Sequence, residues 1–336
     1  MPQHRDVVVV GASAGGVESL RGLLSTLPAD LPAAVLVVLH MPTSGTSALS
    51  SILRRAGDLH VQPAVHGAPL RHGHVYTAVP DHHLLVSDGA MALSKGPTEN
   101  GHRPAVDVLF RSAARAVGRR AIGVVLSGSL DDGTAGLMSI AARGGAAVVQ
   151  DPADAIYASM PESALREVPT ARVAPIAGLA DVITELTAEQ VDDQPPTAMS
   201  HVDQFEADIA ERGLQEGGLD MVTMGEPSGF TCPDCDGSLM TVPDTGRYRC
   251  RVGHAWTEQA LAEQKDAALE RALWTALRTL DEKISLGRRM EQTAVQRGNG
   301  YVARRYAASV AEAVQAADVL RHFIRDDVLT QEGTAP

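Results

Sequence analysis

The first half of the chain alternates short, uninterrupted apolar runs with segments whose apolar residues recur every three or four positions. Residues 7–10, 34–39, 122–126 and 146–149 are Val-rich with no polar alternation. That is the pattern of parallel strands covered on both faces. Between and after them, 17–27, 47–56, 106–116, 134–143 and 161–167 read as helices. The alternation over residues 6–186 predicts an α/β fold with a doubly wound, mostly parallel sheet and right-handed crossovers. Residues 74–78 and 83–87, separated by Val79-Pro80-Asp81-His82, are expected to form a hairpin inserted between the second and third major units.

Beyond about residue 186 the rhythm changes. Residues 187–228 are polar and acidic, with Gln194-Pro195-Pro196 as a breaker, and read as a linker that cannot bury enough surface to order itself. A cysteine-bearing module follows at 229–256. From 257 to 330 the residues are strong helix formers, with Leu269, Leu273, Leu277, Leu280 and Ile284 three or four apart and a break at Gly298-Asn299-Gly300. This predicts a helical hairpin with an apolar seam. Packing of one helix on the other explains the stripe better than a dedicated partner surface. The expected organisation is therefore an α/β domain at 1–186, a linker at 187–228, the cysteine module at 229–256 and the hairpin at 257–330.

At 336 residues, 44% hydrophobic and 21% charged, the chain has the composition of a soluble protein with room for two domains. Its net charge of −12 argues against nucleic acid or an acidic membrane as a partner of the whole chain. The charge is uneven: between Thr187 and Asp220 nine acidic residues face one arginine, Arg212. No apolar run approaches the roughly 18–20 residues that cross a bilayer, so direct membrane insertion is not expected. The N-terminus runs almost directly into a strand, unlike a signal peptide, and the expected location is cytoplasmic.

Three of the strands end in polar residues that a buried strand has no reason to carry. The first runs into Gly11-Ala12-Ser13-Ala14-Gly15-Gly16, the second into His40-Met41-Pro42, and the third into Ser127-Gly128-Ser129-Leu130-Asp131-Asp132-Gly133. Ligands gather at the carboxyl ends of strands in open α/β sheets. If these strands are neighbours, a nucleophile, its base and the orienter of the base meet there. Gly11-Ala12-Ser13-Ala14-Gly15 fits the nucleophile elbow G-x-S-x-G between strand and helix. Small neighbours let the turn lift the serine oxygen above the sheet, and the next helix N-terminus offers N–H groups to developing negative charge. The same motif alone also suits a plain packing turn or a phosphate loop. His40 separates these readings. A dinucleotide site would want an Asp or Glu at that strand end, and a histidine belongs with a serine nucleophile. Asp131 or Asp132 would then hold the imidazole. The chain order Ser, His, Asp differs from the Ser, Asp, His of ordinary α/β-hydrolases.

Taken together, these motifs resemble the catalytic domain of the chemotaxis-receptor protein-glutamate methylesterases (the CheB type). The resemblance covers about residues 6–186. It rests on the Ser13 loop, His40-Met41-Pro42, Val75-Tyr76-Thr77-Ala78, Arg103-Pro104-Ala105-Val106-Asp107-Val108-Leu109-Phe110, Ser127-Gly128 and Asp132-Gly133. It implies a serine hydrolase that demethylates glutamyl methyl esters on receptor helices and often deamidates glutamine there, with no catalytic cofactor. By motif, Ser13 is the nucleophile, His40 the general acid/base and Asp132 the orienting carboxylate, while Asp131 takes no catalytic role. The resemblance also places the oxyanion-hole backbone at Ser129, with Ala14. This chain has Gly128-Ser129-Leu130 where the family commonly reads Gly-Met-Gly, which bears on loop shape and substrate fit. The partner implied is a methylated receptor or receptor-like helical protein. With only five residues ahead of the first strand, no receiver domain is expected within the chain, so regulation would fall to a separate protein or to the C-terminal region. The rival reading is a non-catalytic signalling scaffold that uses the esterase fold to position its C-terminal parts.

All three cysteines of the chain lie in Cys232-Pro233-Asp234-Cys235 and Cys250-Arg251-Val252-Gly253-His254. The C-x2-C and C-x3-H pairs offer three thiolates and one imidazole, a closed tetrahedral set suited to structural zinc. Metal binding would also stabilise a segment too small to fold on its own core. The stretch resembles a cysteine-rich segment attached to some methylesterase-like proteins that lack a receiver. Such ribbons often bind nucleic acid, and Arg247, Arg249 and Arg251 could serve that. The acidic linker makes protein contact or scaffolding the better reading, and no nucleic acid is expected. His72, His74, His82 and His83 are read as loop polarity and not as a second metal site.

Overall fold

The computed structural model describes residues 3–43, 47–191, 197–212, 225–243 and 245–332. The chain forms two compact units, Met1–Leu261 and Ala262–Pro336.

The first unit is built on a seven-stranded, all-parallel sheet. Its strands are β1 (Val7–Ala12), β2 (Ala34–Leu39), β3 (His60–Pro63), β4 (His74–Thr77), β5 (Ala121–Val125), β6 (Ala146–Gln150) and β7 (Arg172–Ala174), in the order β7-β6-β5-β1-β2-β4-β3. The continuous apolar runs are divided between two cores by the two-residue period of a strand. Val8, Val10, Val35 and Val37 face one side, with Leu20 and Leu23 of α1 (Gly16–Leu24), Leu49 and Leu53 of α2 (Leu49–Leu53) and, from later in the chain, Leu179 and Ile183. Val7, Val9, Leu36 and Val38 face the other. There they meet Leu109 and Phe110 of α3 (Val106–Val117), Leu137 and Ile140 of α4 (Thr134–Ala142) and Met160 of α5 (Ser159–Glu167). Leu179 and Ile183 belong to α6 (Ile176–Ala188). Helices on both faces make the sheet doubly wound, as the alternating pattern predicts.

The structure replaces the predicted hairpin. Residues 74–77 form β4 inside the main sheet, parallel to β2, and 83–87 pairs instead with 90–94 as a separate antiparallel ribbon. Three apolar residues in each segment cannot tell an inner strand from a hairpin arm, and pairing partners are not written in local pattern. His83 lies fully buried on that ribbon. It accepts the N–H of Ala105 at Nδ1 and contacts the carbonyl of Pro97 through Nε2 at 2.9 Å, so it pins the segment ahead of α3.

Within the acidic stretch, α7 (His201–Arg212) packs on α3. Several of its acids meet partners: Asp208 pairs with Arg115 at 2.7 Å, and Asp203 accepts from the Ser139 hydroxyl at 2.9 Å. The cysteine module is a four-stranded antiparallel sheet of Pro227–Thr231, Ser238–Val242, Arg247–Cys250 and Ala255–Thr257. α8 (Glu258–Gln296) follows it.

In the second unit α8 continues and turns at Gly298 into α9 (Gly300–Glu332). Leu277 and Ile284 pack against Ala313, Ala317 and Ile324 to form the expected apolar seam. Leu269, counted in the predicted stripe, is 51% exposed. No helix among the described residues is long and apolar enough to cross a membrane.

Candidate functional site

The order of the main sheet reverses at β1, which lies between β2 and β5. The carboxyl ends of these three strands therefore meet at the topological switch point, where ligands gather in such sheets. Ser13 follows β1. Its N–H donates to the Ser127 carbonyl at 3.0 Å, and the Gly16 N–H returns to the Ser13 carbonyl at 2.9 Å, which closes a tight turn into α1. Gly15 sits at φ +70°, and a Cβ there would come within 2.7 Å of the Ser127 hydroxyl and 2.8 Å of Ile156. A Cβ on Gly128 would lie 2.9 Å from the Cβ of Ser13 and still closer to Met160. Glycine at these two positions is what allows the serine loop and the β5 loop to touch.

Ser13, His40 and Asp132 come together. The Ser13 hydroxyl is 3.0 Å from His40 Nδ1, and His40 Nε2 is 2.6 Å from Asp132 Oδ2. A carboxylate only accepts, so Nε2 carries the proton and Nδ1 presents its lone pair to the serine O–H. The His40 and Asp132 side chains are 7% and 2% exposed. Asp132 is held from behind by the first turn of α3: Oδ2 accepts the Val106 N–H at 2.7 Å and Oδ1 the Asp107 N–H at 3.0 Å. Burial alone would raise its carboxyl, but the His40 hydrogen bond and charge and these two N–H groups outweigh it and hold the group well below the usual carboxylate range. Asp132 therefore stays ionised to orient the imidazole. Asp131 faces elsewhere and accepts from the Thr257 hydroxyl at 2.9 Å. The backbone N–H groups of Ala14 and Ser129 have no hydrogen-bond partner among the described residues.

One neighbour of His40 was not singled out from the sequence. His102 stacks on it, with ring centroids 3.7 Å apart and planes 12° from parallel. Burial first, then the nearby His40, pushes the His102 imidazole down to about 4, so it is neutral near pH 7. It restricts the motion of His40 without adding charge. The contact joins residues 62 positions apart through ring stacking, which leaves no spacing signal in the sequence. Ser127 was likewise given no role. Its hydroxyl donates to the Ala14 carbonyl at 2.8 Å and accepts the Tyr157 N–H at 2.9 Å, tying the serine loop to the segment before α5.

The four cysteine-module residues also converge. Cys232, Cys235, Cys250 and His254 place their Sγ and ring nitrogen atoms within 4.8 Å of one another, with Cys235–Cys250 at 3.6 Å and Cys250–His254 at 3.5 Å. A tetrahedron with Zn–S of about 2.3 Å has edges of roughly 3.8 Å, close to these spacings, so the donor set suits a zinc ion. It is the only such donor group among the described residues, and the histidines around 72–83 form none. Arg247 and Arg249, two of the three arginines a nucleic-acid contact would need, are 5% and 0% exposed.

The family model described as CheB methylesterase matches residues 8–183. Among curated proteins, the chain is 40% identical over 178 residues to protein-glutamate methylesterase/protein-glutamine glutaminase 2 of Rhizobium johnstonii, covering 52% of this chain and 48% of that protein. It is 38% identical over 174 residues to protein-glutamate methylesterase/protein-glutamine glutaminase 1 of Geobacter metallireducens, covering 51% and 48%. The chain thus spans about half the length of the curated relatives it matches. Among solved structures, the CheB methylesterase catalytic domain of Thermotoga maritima aligns with a TM-score of 0.52 at 32% identity, covering 55% of this chain and all of that one. Over the α/β part that carries Ser13, His40 and Asp132, the chain belongs to the CheB methylesterase family.

Proposed function

We propose that the chain is a serine hydrolase that removes methyl groups from glutamyl methyl esters of a receptor-like helical protein, and that the same site deamidates glutamine side chains. The observation that carries this reading is the Ser13–His40–Asp132 hydrogen-bond chain at the switch point of a CheB-family sheet. Ser13 Oγ attacks the ester carbonyl carbon while its proton passes to His40 Nδ1. Collapse of the tetrahedral intermediate expels the methoxy group, which takes that proton from His40 and leaves as methanol. Water then gives its proton to His40 and attacks the acyl-enzyme, and collapse frees the glutamyl carboxyl as Ser13 Oγ leaves and takes that proton back from His40. With glutamine the leaving group is ammonia. The Ala14 and Ser129 N–H groups are the donors assigned to the developing oxyanion, a role in which a backbone N–H tolerates the change of side chain at Ser129. The test is methanol release from a methylated receptor fragment by the intact chain, together with labelling of Ser13 by a serine-reactive phosphonate. Turnover and labelling support the reading. Their absence from folded protein would leave the scaffold as the better account.

The cysteine module is proposed to hold structural zinc through Cys232, Cys235, Cys250 and His254, with no metal in the chemistry. Metal analysis of the purified protein is expected to give close to one zinc per chain, falling to background in Cys235→Ser. A metal-free wild-type protein that melts at the same temperature would refute the site.

A further inference from the structure

The proposed mechanism leaves unused a large buried charge cluster. Arg111 of α3, Arg247 and Arg249 of the cysteine module, Glu99, Asp107 and Glu206 of α7 lie together with side chains no more than 6% exposed. Glu99 contacts all three guanidiniums, at 2.6 Å from Arg111, 3.0 Å from Arg247 and 3.1 Å from Arg249. Glu206 is 3.2 Å from Arg247 and 2.9 Å from Arg249. The module is further joined to the α/β part by backbone. The Ala255 N–H donates to the Thr98 carbonyl, the Asn100 N–H to the Ala255 carbonyl, and Asn100 Oδ1 accepts the Thr257 N–H.

One member of the cluster reaches the site. Asp107 Oδ1 accepts the N–H groups of Gly133 at 3.0 Å and Gly136 at 2.7 Å, which fixes the start of α4, two residues beyond Asp132. The Asp107 backbone N–H is itself a donor to the Asp132 carboxylate. Asp107 therefore grips Asp132 through the chain on one side and through its carboxylate on the other. Its second oxygen, Oδ2, has no hydrogen bond and faces Arg247 at 3.5 Å and Arg111 at 3.9 Å. We infer that Arg247, supplied by the cysteine module, is a positioning residue for Asp132 that acts through Asp107, an inference that rests on the proposed esterase function. Burial pushes the Asp107 carboxyl up to about 7, and Arg247 is the strongest influence opposing that rise, ahead of Arg111, while Asp132 and Glu99 add to it. Loss of Arg247 makes Asp107 neutral, a weaker acceptor for Gly133 and Gly136, and loosens the loop that carries Asp132.

The test is a double-mutant cycle in the full chain, with kcat and KM for methanol release, the rate of Ser13 phosphonate labelling, and Tm. Arg247→Gln and Asp107→Asn are each expected to lower kcat and the labelling rate by about 10- to 100-fold while KM stays within about twofold, as for a misplaced catalytic group. The double variant keeps two guanidiniums facing Glu99 and Glu206, so its buried charges balance. It is expected to melt near the parent and to turn over no more slowly than Asp107→Asn alone, because both changes remove the same contact. Arg247→Lys, which keeps the charge, is expected to recover part of the loss. The inference is overturned if folded Arg247→Gln keeps the parental kcat, if the loss lies in KM alone, or if the two losses multiply. Should Arg247→Gln fail to fold, the balanced double variant measured against Asp107→Asn decides. A parent protein that neither releases methanol nor labels at Ser13 would refute the proposed function, whereas an active parent with an indifferent Arg247 refutes this inference alone.

Discussion

Ser13→Ala is expected to lower kcat/KM for methanol release by about 10⁴- to 10⁶-fold and to abolish phosphonate labelling, with the fold unchanged. The size follows from the role. In acyl transfer by such an array, loss of the nucleophile removes the covalent route altogether, and only orientation and oxyanion stabilisation remain. The fold should be indifferent because the substitution removes one hydroxyl from a partly exposed turn. The turn itself is closed by backbone bonds from Ser13 to Ser127 and from Gly16 to Ser13, which alanine keeps. His40 retains Asp132 on Nε2 and His102 on its face. Methanol release at the parental rate by folded Ser13→Ala would remove the proposed mechanism, since no other described residue lies within hydrogen-bond distance of His40 Nδ1.

The legible part of the site is the part that local pattern can write. Val7–Ala12, Ala34–Leu39 and Ala121–Val125 are buried on both faces, so their polar ends stood out against continuous apolar runs. Their adjacency, which the sequence could only suppose, follows from the order of the sheet around β1. What stayed hidden is tertiary. His102 meets His40 by stacking, and Asp107, read only within a motif, works through contacts to residues far along the chain. The acids of 201–212 suggested a solvated stretch because the arginines that meet Glu206 are distant in sequence, Arg111 far earlier and Arg247 and Arg249 some forty residues later. Arg247 and Arg249, weighed from sequence as possible nucleic-acid contacts, neutralise buried carboxylates. Charge runs report on solvent only where no distant partner folds onto them.

That cluster sets the second large effect, on stability. Glu99→Ala is expected to cost about 3–5 kcal/mol, the penalty for removing one partner from a buried ion group. In a unit of this size that is a fall in Tm of roughly 10 °C. Glu99 is the member that touches all three guanidiniums. Without it, Arg111, Arg247 and Arg249 must share Asp107 and Glu206, and Asp107 is the one of the three cluster carboxylates that burial leaves above its ordinary value. The dependence on pH has a definite sign. Burial would raise the Glu99 carboxyl, but Arg111, Arg249 and Arg247 outweigh it and hold the native value well below the ordinary glutamate value of 4.5. A group depressed in the native state contributes stability that is fully present above its unfolded pKa and is lost as pH falls through the native one. The part of the Tm difference between parent and Glu99→Ala that Glu99's own charge supplies should therefore be fully present above about pH 4.5 and close below it as the parent loses this contribution. A difference that persists unchanged at pH 3, or a variant that melts with the parent at pH 7, would show that Glu99 is not the anion that holds the cysteine module to the α/β sheet.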